Sequence, residues 1–81
     1  MVKQSDRPTL GQLRRARNLT QQNVADSLGV ASKTVSDWER GVKEPHLPVL
    51  KIAKMMELYG CDTIYELVDA VAVSRESRGS R

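Results

Sequence analysis

At 81 residues the chain has room for one small domain, and its core must be aliphatic, because Phe is absent and only Trp38, Tyr59 and Tyr65 are aromatic. That palette suits packed helices better than a β-sandwich. Lone Cys61 excludes an internal disulfide, no Cys/His spacing suits zinc, and no apolar run is long enough for a membrane span or a signal segment, so a cytoplasmic protein without metal or cofactor is expected.

Residues 1–8 carry Lys3 and Arg7 against Asp6, show no periodicity and end at Pro8, which reads as a flexible basic arm. Thr9 with Gln12 forms a Thr-x-x-Gln capping box that opens a first helix, with Leu10, Leu13 and Ala16 on one face, ending near Arg17 at Asn18. Thr20 caps a second helix whose inward stripe is Val24, Ala25 and Leu28, and Gly29 stops it. Val30 plugs the turn. A third helix is expected from Ser32 to Arg40, with Val35 and Trp38 inward and Gly41 as terminator. Ala31 is a poor cap for it, so either Ser32 caps or the start is weak.

Pro45 and Pro48 bracket the next boundary, and a fourth helix is expected from Pro48 to Leu58. Its buried side is read as Val49, Leu50, Ile52, Ala53 and Met56, with Lys51 and Lys54 outward and Gly60 at the end. Thr63 with Glu66 forms a second capping box, so a fifth helix starts near Ile64. Ile64, Leu67, Val68 and Val71 repeat along it at helical spacing. This apolar stripe either serves the domain's own core or forms a dimer face. Residues 74–81 are small, polar and aperiodic and read as a disordered basic tail, which leaves 9–73 as the domain.

Arg7, Arg14, Arg15 and Arg17 near one end and Arg75, Arg78 and Arg81 near the other flank a slightly acidic middle. Basic ends on a nearly neutral body suit a polyanion partner. No nucleophile, base and orienting group recur at useful spacing, so an enzyme is not expected. Isolated His46 reads as a loop residue, Met55 and Met56 as packing, and Trp38 as core because it lies three positions after Val35.

Leu13-Arg14-x-x-Arg17-x-Leu19-Thr20-Gln21-x-x-Val24-Ala25-x-x-Leu28-Gly29-Val30, followed by Thr34-Val35-Ser36-x-Trp38-Glu39-x-Gly41 and Pro45, resembles the Cro/C1-type (XRE) helix-turn-helix family of phage repressors and bacterial regulators. The resemblance covers about residues 9–70. It implies an all-α, compact, five-helix lambda-repressor-like bundle that binds double-stranded DNA, usually as a homodimer on a two-fold symmetric operator, in a prokaryotic cell and on its nucleoid.

Carried over position by position, the resemblance makes Ser32, Lys33, Ser36 and Asp37 the outward, base-contacting residues of the helix that enters the major groove. Their types suit it: Lys33 can donate to guanine or to a phosphate, and a carboxylate can accept from cytosine N4. Near phosphates a carboxylate also repels, so Asp37 must read a cytosine, be held by Arg40 or Lys33, or lie off the interface. The resemblance assigns phosphate contacts to Gln21 and Thr34, and Arg40 and Lys43 are placed to reach the same backbone. Arg14 and Glu39 match a pair that bridges the first helix to the end of the third. Ile64, Leu67, Val68 and Val71 are the dimer candidates. The same fold also serves as an antitoxin or anti-repressor type of protein-interaction module, which is the alternative function.

Overall fold

The computed structural model describes residues 7–79, with side chains through 76. Five helices follow one another: α1 (Leu10–Ala16), α2 (Gln21–Leu28), α3 (Ser32–Glu39), α4 (Val49–Tyr59) and α5 (Ile64–Gly79). No strand occurs among the described residues. Of the expected basic arm, residues 1–6 lie outside the described range.

Local chemistry sets the helix starts. Thr9 Oγ1 accepts from Gln12 N at 3.2 Å while Gln12 Oε1 accepts from Thr9 N at 2.9 Å, a reciprocal box at α1. Thr20 and Asn23 form the same box at α2, with both bonds at 2.9 Å. At α5 only half of the expected box forms: Thr63 Oγ1 accepts from Glu66 N, but Glu66 Oε1 reaches back to Asp62 N. The α3 start has no side-chain cap, and its N-cap residue is Ala31. At the other end of α2, Gly29 (φ 72°) adopts the left-handed conformation that turns the chain toward α3.

Leu10, Val24, Leu28, Val35 and Met55 are fully buried in one core, with Trp38 and Tyr59 beside them. Two expected faces differ. Ala16 is exposed, so α1 contributes Leu10 and, in part, Leu13. On α4 the inward residues are Ile52, Met55, Met56 and Tyr59, spaced i, i+3, i+4, i+7, while Val49 and Leu50 are 82% and 84% exposed and Ala53 is exposed. Pro48 starts the helix a turn before it reaches the body, so its first apolar residues overhang the core.

Residues 74–79 of the expected tail are instead the last part of α5, and residues 80 and 81 lie outside the described range. Buried Ser74 explains the continuation: its hydroxyl donates to Ala70 O at 2.9 Å and accepts from Leu10 N at 3.1 Å. Next to it, Arg75 Nη1 pairs with Glu44 Oε2 at 2.5 Å. Gly41 (φ 77°) packs so closely here that a Cβ on it would lie 2.6 Å from Ser74 O. The end of α5 is thus wedged between the start of α1 and the loop that leaves α3.

Candidate nucleic-acid interface

α3 lies against α2 through Val35 and Trp38, and its far end is tied to α1. The tie is a carboxylate–guanidinium fork: Arg14 Nε and Nη2 donate to Glu39 Oε2 and Oε1 at 2.8 and 3.1 Å. Arg14 Nη1 also donates to Leu19 O at 2.8 Å, which draws in the chain between α1 and α2. Glu39 takes two further bonds, from Gln21 Nε2 at 3.1 Å and from Tyr59 Oη at 3.0 Å. The side chains of Arg14 and Glu39 are only 11% and 7% exposed, so α1, α2, α3 and α4 meet at one shielded polar joint.

The joint shifts its members' ionisation in a consistent direction. Burial alone would raise the Glu39 carboxyl, but hydrogen bonds from Arg14, Gln21 and Tyr59 hold it below its ordinary value. The bond to Glu39 raises Arg14 despite desolvation. Burial, with the Glu39 charge and the bond to it, pushes the Tyr59 phenol well up. Tyr59 was absent from the sequence-based site. Its position seven after Ile52 carries the signal, since a tyrosine in a buried stripe needs a partner for its hydroxyl.

Along the outer side of α3 the expected residues divide. Lys33 is 79% exposed at the side chain, Arg40 59% and Lys43 69%. Ser32, Thr34 and Ser36 are half-buried, as is Gln21 at the start of α2. One amide hydrogen of Gln21 goes to Glu39, which leaves the second for an external acceptor.

Asp37, also expected among the base-contacting residues, differs from the others in its burial. It is 3% exposed, and its carboxylate is occupied within the protein. Arg40 Nη2 lies 2.6 Å from Oδ1, Lys33 Nζ 3.3 Å from Oδ2 and Lys43 Nζ 4.0 Å from Oδ2. The Asp37 carbonyl accepts from Val42 N at 2.9 Å and Lys43 N at 3.3 Å, so the loop after α3 folds back over the residue and covers it. Desolvation would raise its carboxyl, but the bonds and charges of Lys33 and Arg40 hold it below the ordinary value.

The expected outward Lys51 is turned to a structural use, its ammonium donating to Leu28 O at 2.7 Å and closing the end of α2. The α5 stripe splits: Leu67 and Val71 pack inward, while Ile64 and Val68 are 43% and 56% exposed. Both exposed residues line a groove of about 550 Å³ together with Ile52, Pro45 and Ala72. Among the described residues no cluster of His, Cys, Asp or Glu could hold a metal, and no helix is long and apolar enough to cross a membrane.

Two short helices crossing at a left-handed glycine, with the second locked to the scaffold and rimmed by cations, define a helix-turn-helix fold in an all-α bundle. The helix-turn-helix family model HTH_3 matches residues 10–65, more than half of the chain, and the chain belongs to this Cro/C1-type family. It is a family of DNA-binding regulatory domains rather than of enzymes. No curated protein and no solved structure matches the chain significantly.

Proposed function

We propose that the chain is a sequence-specific transcriptional regulator that lays α3 in the major groove of double-stranded DNA. The observation carrying this reading is the rigid presentation of α3: a four-helix polar joint fixes its end while Lys33, Arg40 and Lys43 rim its exposed side. Groove reading needs a helix held in one orientation, and backbone contact needs cations around it.

In this reading Ser32, Lys33 and Ser36 lie at base edges, with the Lys33 ammonium also reaching a phosphate, and Gln21, Thr34, Arg40 and Lys43 contact phosphates. Exposed Ile64 and Val68, beside an apolar groove, support a homodimer on a two-fold operator, at work on the nucleoid of a prokaryotic cytoplasm. Selection of bound sequences from random duplex DNA tests the whole proposal. A two-fold site with half-sites about one helical turn apart is expected. Recovery of no consensus, with a co-purifying protein in place of DNA affinity, would favour the interaction-module alternative.

A further inference from the structure

Asp37 presents a problem for a DNA-binding surface: it puts a carboxylate beneath the side chains best placed to meet phosphates. A repelling anion is tolerable there only if it is covered, and Asp37 is. Its two oxygens are shared among three cations from three places in the chain, one turn before it on α3 (Lys33), just past α3 (Arg40) and in the following loop (Lys43). Arg40 is held a second time, its Nε donating to Ser36 Oγ at 3.4 Å. Left to themselves, long cationic side chains sample many rotamers and neutralise any nearby phosphate.

We infer that Asp37 is a positioning residue that touches no base: its carboxylate gathers Lys33, Arg40 and Lys43 into one geometry and limits how freely they engage the backbone of non-cognate DNA. The inference rests on the DNA-binding reading above and adds a source of selectivity to it. Pinned cations fit a duplex whose phosphates fall where the cluster points. Released cations reach phosphates on any sequence, so sequence-independent binding rises more than cognate binding does.

The test is duplex binding by the full chain and by Asp37→Asn, titrated against the selected site and a random duplex over a range of salt. Asp37→Asn is expected to bind random duplex more tightly, to steepen the dependence of log affinity on log salt by about 1, and to lower the cognate-to-random ratio about tenfold. Unchanged slope and ratio in a folded variant overturn the inference. Loss of discrimination at a single base pair, with random binding unchanged, also overturns it and makes Asp37 a base reader. Failure of the wild-type chain to bind any duplex at low salt overturns the DNA-binding reading itself, and this inference with it.

Should Asp37→Asn fail to fold, as the loss of helical circular dichroism would report, a double-mutant cycle on Arg40→Gln and Lys43→Gln decides. Both side chains are more than half exposed and neither packs in the core. Cations sharing one anchor give a non-additive effect on cognate affinity of about threefold or more, whereas independent cations multiply. Additive effects overturn the inference.

Discussion

Glu39 has four donors around its two oxygens and almost no water, so its charge is stabilised by the protein alone. Replacing it by glutamine keeps the shape but strands the Arg14 cation, and Glu39→Gln is expected to destabilise the domain by about 2 kcal/mol near neutral pH. Because the folded carboxyl titrates below its ordinary value of 4.5, this contribution is complete above that value and is lost as pH falls through the lowered one. Urea melts from neutral to strongly acid conditions should therefore show the gap between wild type and variant closing on the acid side. A gap independent of pH would remove the Glu39 charge as its source. Lys33 makes the opposite case, since it is exposed and bound only to Asp37. Lys33→Ala should leave stability within about 0.5 kcal/mol but weaken duplex binding and lower the salt slope by about 1. Unaltered affinity in a mobility-shift titration at constant salt would move the interface elsewhere.

Helix starts depend on a few neighbouring residues, which makes the α3 start the easiest to improve. Ala31 offers no acceptor to the free amides there, so Ala31→Ser should raise stability by about 0.5–1 kcal/mol, read as a higher melting temperature. No change on melting would mean that the amides are already satisfied. The same locality explains what was legible in the residues: Thr9, Thr20, Gly29, Gly41 and Gly60 mark boundaries by short-range chemistry, and the Arg14–Glu39 fork came with the family pattern. α4 was harder to read. Its apolar residues surround much of the helix, and only the packing distinguishes Met55 and Tyr59, which are buried, from Val49 and Leu50, which overhang. Asp37 was ambiguous for a related reason, since the loop that covers it is folded by its own carbonyl, and that contact has no periodic signature. The end of α5 was missed because Ser74 and Arg75 look like linker residues until their partners Leu10 and Glu44 are brought beside them.

In the whole molecule, α5 acts as a clasp whose closing residues lie beyond residue 65, where the family match ends. Removing residues from Ser74 onward leaves Leu10 N without its buried acceptor and frees Glu44, so a chain ending at Val73 should lose about 1–3 kcal/mol. Thermal melting is the check, and an unchanged melting temperature would make the end of α5 dispensable. The bond between Leu10 N and Ser74 Oγ joins positions 64 residues apart, at nearly opposite ends of the chain. Most other contacts are local and favour fast helix formation, but this one closes a loop nearly as long as the domain. During synthesis the first turn of α1 therefore cannot reach its final packing until α5 has emerged from the ribosome. The clasp makes native closure a late event, completed only when the segment from α1 through Ser74 is free.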